Sequence, residues 1–449
     1  MAAWRNLAAG FLALIVVQTG WAQTYPLAEN AQPGDCFRIR LDLTVSGDIK
    51  FNKEGKQLIL RQEVSAGHAF SERVLSVAAT GLPDKVARLY EKARSSTSIN
   101  GEGNERQLRV ERRLLVAQRQ KDQTLVYSPA GTLTRDEVEL TDHFDTLVLT
   151  GLLPGREVAI GETWKLPNPL VQGLCTFEGI TEQTLVCKLD EVKGPIARVT
   201  VSGAVTGIDL GALVKLTVEG SYEYDLGSRR LTKLEWKQRE ERDQGPASPA
   251  MTLQAATTLT RTPIDRPDCL SDVALISVPE GFDPPVLLTQ LEYRDARAGY
   301  SMVYARDWQT VSQSDEHLVM RLIERGDFVA QLTITPWTRA EKGKHLSPEE
   351  FHQAMTETPG WEPEQELQAG EVPAEGGRWI YRISALGQLD GTRVMQNYYL
   401  VAGPAGEQIV LVFTMTPKQA DRIASRDLSL AGSIEFGSAA KDAEKAKKP

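Results

Sequence analysis

The side chains able to do chemistry are few and widely spaced. The densest titratable cluster is Asp142-His143-Phe144-Asp145, in which a neighbouring carboxylate can orient and bias an imidazole for acid–base work. No nucleophile at a recognisable spacing accompanies Asp142 and His143, and a solvated helix end is the plainer assignment. A hydrolase of unknown type built on that pair is the enzymatic alternative. His345 and His352 straddle a helix cap at Ser347, so only His352 is helical and the two need not share a face, whereas structural metal sites want three or four ligands. Arg109, Arg112 and Arg113 with Lys121 form a local basic run that Glu105 and Glu111 dilute, and a solvated strand face accounts for it. Signatures of the HExxH, CxxC, GxSxG and GxxxxGK[ST] types are absent, which argues against zinc proteases, thiol-redox proteins, α/β-hydrolases and P-loop enzymes. No catalytic residue, metal or cofactor is assigned.

The aromatic residues give a different hint. Tyr222, Tyr224 and Trp236 fall on strand-like runs, where long strands curling round an apolar face can leave a cleft for a lipid-like ligand. The plainer assignment is that they fill the core.

Residues 1–22 carry one basic residue, Arg5, then the apolar run Leu7 to Val17, then Gly20-Trp21-Ala22. That is a signal-peptide pattern with cleavage expected after Ala22. The apolar run has about eleven residues, too few to span a bilayer, and no later segment reaches eighteen, so no transmembrane segment is expected in the mature chain. The expected location is the periplasm or the extracellular space.

Export bears on the four cysteines, Cys36, Cys175, Cys187 and Cys269. They permit two disulfides in an oxidising compartment, with three possible connectivities. Cys175 and Cys187 flank the turn-like Gly179 to Glu182 and can face each other across two strands. Cys36 would then meet Cys269. Four buried free thiols are the other reading.

Over 449 residues, 25% charged and 41% hydrophobic side chains describe an ordinary globular chain of two or three domains. Lys plus Arg number 51 against 60 Asp plus Glu, a net charge of −9 that argues against nucleic acid as a partner.

From Cys36 to about Arg261 the dominant period is two. Phe37, Ile39, Leu41, Leu43 and Val45 alternate with Arg38, Arg40, Asp42 and Thr44, and Val214, Leu216, Val218, Tyr222 and Tyr224 share another strand face. Solvated outer faces fit antiparallel pairing. Two helices interrupt: Lys85 to Ala93, capped by Asp84 after Pro83, and a shorter one from Arg135 to Phe144. Val45-Ser-Gly-Asp-Ile49 and Val201-Ser-Gly-Ala-Val205 resemble each other but are too short to define a duplication. Residues 23–265 are read as a long-stranded, antiparallel, β-rich domain.

Prolines crowd residues 266–293, which are assigned as a linker. Residues 294–437 follow as a second domain, and the Lys/Ala-rich 438–449 as a disordered tail. In the second domain Ser347, Pro348 and Glu350 form a capping box for a helix with Phe351 and Met355 inward. Asp390-Gly391 marks a hairpin, and Ala420, Ile423, Ala424, Leu428 and Ala431 mark the stripe of a closing helix.

The run "GYSMVYARDWQ", a helix opened by "LSPEEF", an antiparallel sheet and a closing helix before "SIEF" resemble the PsbP-like and DcrB-like group over about 150 residues. That resemblance implies an α/β/α sandwich reused by accessory, assembly and binding proteins, with no catalytic position to transfer. The first domain resembles β-rich bacterial envelope domains without assigned function. The sequence thus reads as α+β, an exported, non-enzymatic protein with a binding or envelope-assembly role and an unknown protein or apolar small-molecule partner. A carrier of lipid-like ligands in the first domain is the alternative.

Overall fold

The computed structural model describes residues 23–437 apart from 54, 55, 121, 122 and 143. The leader 1–22, the tail 438–449, Lys121 and His143 lie outside the described residues. Among the described residues no helix is long and apolar enough to cross a membrane.

A thirteen-stranded sheet dominates the first domain. Val186–Lys193, Ile196–Asp209, Ala212–Asp225, Arg230–Arg242 and Ala250–Pro263 run as an antiparallel meander, each pairing with the next. The last of these pairs back to Cys36–Lys53, with Pro263 opposite Phe37 and Ala250 opposite Lys50. Lys56–Val77, Pro83–Ile99, Leu114–Gln120 and Gln123–Tyr127 continue the sheet from there. Alternation places Phe37, Ile39 and Leu41 with Phe70, Tyr90, Tyr222, Leu234 and Leu259 on one inner face, all at 1% exposure or less.

The helix expected over Lys85 to Ala93 is instead part of the strand Pro83–Ile99. Val86, Arg88 and Tyr90 face inward, while Ala87 and Leu89 pack on the outer face against Leu270 and Leu275. Burial on both faces erased the period-two signal and left Val86, Leu89 and Tyr90 at helical spacing. The covering segment is the Pro-rich stretch. Lys85 Nζ donates to the carbonyls of Pro279 (2.7 Å) and Gly281 (2.6 Å), and Gln118 Nε2 to that of Phe282 (2.7 Å).

Neither proposed disulfide is present, and all four cysteines are free. For Cys175 and Cys187 the premise fails. Cys175 ends the helix Asn168–Cys175, and Gly179–Gln183 is a strand paired with Ile196–Asp209 rather than a turn. Cys36 lies opposite Arg73, whose Nη1 donates to Leu270 O at 2.8 Å, so the turn bearing Cys269 sits beside it, but both thiols are unpaired.

In the second domain Trp308–Gln313, Leu318–Glu324, Asp327–Pro336, Gln408–Met415, Thr392–Ala402, Trp379–Leu389 and Trp361–Val372 form one antiparallel sheet in that spatial order. The capping box at Ser347 forms as expected, and Phe351 and Met355 of Pro348–Thr356 pack on Ile383, Tyr398 and Leu400. The Asp390-Gly391 turn has φ of 49° and 75°, the left-handed pair of a tight hairpin. The closing helix is split into Ala420–Ile423 and Arg426–Gly432 at Ala424, where φ is 50°. The break rotates the second piece, so Leu430 is buried where Leu428 was expected, and Leu428 is exposed. Ile423, Leu430 and Ala431 of the closing pieces join Tyr399, Leu411 and Phe413 in the other core cluster, so the antiparallel sheet carries helices and the unit is α+β.

The two domains share structure. Leu133–Thr134 of the first pairs in parallel with Leu291–Asp295, which pairs with Tyr300–Tyr304. One core cluster contains residues of both.

Candidate functional site

The Asp142–Asp145 region belongs to a strap laid across the inner face of the first sheet. It leaves the helix Arg135–Thr141, whose Thr134 and Glu137 make a reciprocal capping box. His68 Nε2 donates to Leu140 O at 2.9 Å, and burial pulls that imidazole's pKa below its usual value, keeping it neutral. Phe144 then meets the Trp236 ring edge-on at 5.4 Å, on the far side of the intervening strands. Asp145 is committed to structure: its Oδ1 pairs with Arg88 at 2.7 Å and accepts from Leu147 N, and its Oδ2 accepts from Thr124 Oγ1 at 2.8 Å. The strap ends in the 3-10 helix Thr146–Leu152, buried along most of its length.

Tyr222, Tyr224 and Trp236 lie at 2% exposure or less and use their polar atoms internally. Tyr222 OH donates to Leu152 O (2.9 Å), Tyr224 OH to Ala28 O (2.7 Å) and Trp236 Nε1 to Gln238 Oε1 (3.0 Å). They are core residues beneath or beside the strap.

Beyond the strap the same face continues with thinner cover, Ile49 being buried and its apolar neighbours half-buried. Val45 stands opposite Val64 and Ala255, Gly47 opposite Leu253, and Ile49 opposite Leu60 and Met251. Val45, Leu60, Val64, Met251 and Leu253 are half-buried and belong to no core cluster, while Leu43 bridges them to the core. Phe51 and Leu58 at the hairpin end are 41% and 45% exposed. On Ala212–Asp225, by contrast, Val214, Leu216 and Val218 are fully covered, with Leu170, Val171 and Leu174 of Asn168–Cys175 in the same cluster. Gly47 permits a close strand approach in this region: a Cβ there would fall 2.1 Å from Thr252 O. Gly203 does the same against Thr184 O at 2.6 Å, which gives the two similar Val-Ser-Gly segments a shared physical role.

Polar groups border this apolar floor. Arg242 bridges Asp209 (2.7 Å) and Glu240 (2.9 Å). Asp142 is exposed by area yet crowded by neighbouring atoms, and that crowding, with Asp145, Asp209 and Glu139 nearby, pushes its carboxyl up to about 6. The opposite face carries a polar cleft of about 580 Å³ whose lining includes Asp42 and Glu105 against Lys92, Arg94 and Arg106.

The remaining candidates do not join this site. His345 stacks on Trp379 at 3.7 Å and His352 Nδ1 lies 3.3 Å from Glu366, both in the second domain. Arg109, Arg112 and Arg113, read as a solvated strand face, belong to the 3-10 turn Val110–Arg112 instead, Arg109 and Arg113 as its caps. Arg109 Nη2 pairs with Glu137 at 2.6 Å and its Nη1 with Glu292 of the second domain, while Arg112 Nε holds Thr132 O at 3.0 Å. The basic run drew attention to Arg109 but not to its partners, which lie 28 and 183 positions away.

No known protein family matches the chain, and no curated protein does. Among solved structures, cyanobacterial PsbP (CyanoP) from Synechocystis sp. PCC 6803 is similar over 35% of this chain and 99% of its own, at 17% identity and a TM-score of 0.27. A protein from Bacteroides thetaiotaomicron aligns over 32% of this chain and 47% of its own, at 14% identity and TM-score 0.24. A lipovitellin structure described for lipid–protein interactions aligns over 53% of this chain and 26% of its own, at 9% identity and TM-score 0.32. The PsbP-like resemblance thus covers about a third of the chain, and the chain spans less than half of the other two proteins.

Proposed function

We propose that the chain is an exported, non-enzymatic binding protein of the periplasm or extracellular space, whose first domain holds an apolar, lipid-like ligand. The observation that carries this reading is the thinly covered part of the inner face. Val45, Leu60, Val64, Met251 and Leu253 extend the core surface past the strap, half-buried and outside every core cluster of the described residues. Contiguous apolar surface of that kind is costly to leave wet, at about 25 cal/mol per Å², and marks interaction sites. The enzymatic alternative pairs Asp142 with His143, which lies outside the described residues, while Asp145 is engaged by Arg88 and Thr124.

The test has two arms. Native mass spectrometry of protein purified from its own compartment is expected to show a bound lipid-sized mass. The neutral probe N-phenyl-1-naphthylamine is expected to brighten on the mature chain and to lose that signal in Val64→Asp and Leu253→Asp, with circular dichroism unchanged. A bare protein mass together with no probe signal would overturn the reading.

A further inference from the structure

The border of the apolar floor is not neutral. Glu139 is paired with Arg106 (2.9 Å), Asp145 with Arg88, and Asp209 and Glu240 share Arg242. Asp142 stands apart: among the described residues no cation pairs with it, and its side chain is exposed at the point where the helix Arg135–Thr141 gives way to the strap. The strap crosses from His68 to Trp236, so Asp142 sits above the strands that carry Leu43 and Thr257, at the boundary between fully and thinly covered rows. Asp209, its electrostatic neighbour, ends its strand beside the buried Ala212 and is held by Arg242. Around the floor, the carboxylates of Glu139, Asp142, Asp145, Asp209 and Glu240 outnumber the guanidiniums of Arg88, Arg106 and Arg242, an excess of negative charge beside an apolar surface.

We infer that the ligand is a cationic amphipath, with its chain on the floor formed by Val45, Val64, Leu60 and Leu253 and its positive head against the Asp142 carboxylate. This rests on the reading above that the floor binds an apolar ligand. An anionic head would meet carboxylates on the border, and like charges at short range are unfavourable where water is partly excluded. A positive head supplies the partner that Asp142 lacks, and a charge-assisted contact is stronger than a neutral one.

Three surfactants with the same twelve-carbon tail separate the two ideas. Dodecyltrimethylammonium, dodecyl maltoside and dodecyl sulfate, each below its micelle concentration, are titrated against the probe-loaded mature chain. The expected order of displacement is cation, neutral, anion, with the cation effective at about tenfold lower concentration than the neutral compound. Asp142→Asn is expected to abolish the difference between the cationic and neutral heads. Equal potency of all three heads, or a preference for sulfate, would overturn the inference and leave the apolar site intact. Persistence of the cation preference in Asp142→Asn would overturn it as well. Failure of all three to displace the probe would sink the apolar site and this inference together.

Discussion

Arg88 donates its Nε to Glu72 Oε2 at 2.9 Å and its Nη2 to Asp145 Oδ1 at 2.7 Å, joining a strand of the first sheet to the strap that crosses it. The guanidinium is 2% exposed and also donates to Thr146 Oγ1. Removing it strands two acids in a confined site. Arg88→Met is therefore expected to lower stability by roughly 3 to 5 kcal/mol, read as a shift in urea midpoint. A change under 1 kcal/mol would show that the network does not hold the strap.

Tyr222 separates a core role from a ligand role. Its hydroxyl donates to Leu152 O and meets the buried Cys187 thiol, both internal partners, so Tyr222→Phe is expected to cost about 1 kcal/mol in stability and to leave probe binding unchanged. Weakened probe binding without lost stability would return Tyr222 to the site.

Asp142 gives a pH signature. Its carboxyl is raised to about 6 by crowding and by Asp145, Asp209 and Glu139. Between about pH 4 and 6 the folded chain keeps a proton that the unfolded chain has released, so this group's contribution falls as pH rises through that window. Asn cannot ionise. Asp142→Asn should raise the Tm at pH 7.5 and leave it unchanged at pH 3.5. The same increment at both pH values would contradict this.

The thiols should differ sharply in reactivity. Cys269 is exposed, whereas burial raises the Cys36 thiol and pushes those of Cys175 and Cys187 up to about 12. Ellman's reagent is expected to titrate one thiol quickly in native protein and all four in guanidinium. No thiol titrating even after unfolding would mean that all four are oxidised.

Arg109 links the domains through Glu137 and Glu292, both under 10% exposed. With one core cluster spanning both units, the chain is expected to melt in a single calorimetric transition and Arg109→Ala to split it in two. A single transition in the variant would assign the coupling to the apolar contacts alone.

Much of the fold was legible because many strands have one wet face. Cys36–Lys53 and Ala212–Asp225 announce themselves by strict alternation. Trp361–Val372 did not, because it is a mostly exposed edge strand, rich in Glu and Gln, in which only Trp361 is buried. Pro83–Ile99 misled for the opposite reason, being covered on both faces. The site was legible in composition but not in place. Val45 and Val64 look no different in sequence from Ile39 and Phe70, and what separates them is where a strap some eighty or more residues downstream crosses the sheet. The aromatic residues drew attention as the largest apolar groups, and size is what made them good core material.

The register joining Ala250–Pro263 to Cys36–Lys53 fixes an order of events during synthesis. Until residue 263 is available, the opening strand has an unsatisfied edge, and the meander between has no partner to close against. Long-range pairing of this kind folds slowly and leaves sticky intermediates. A nascent chain emerging amino end first would carry that raw edge for more than two hundred residues, which makes it a natural client for a holding chaperone.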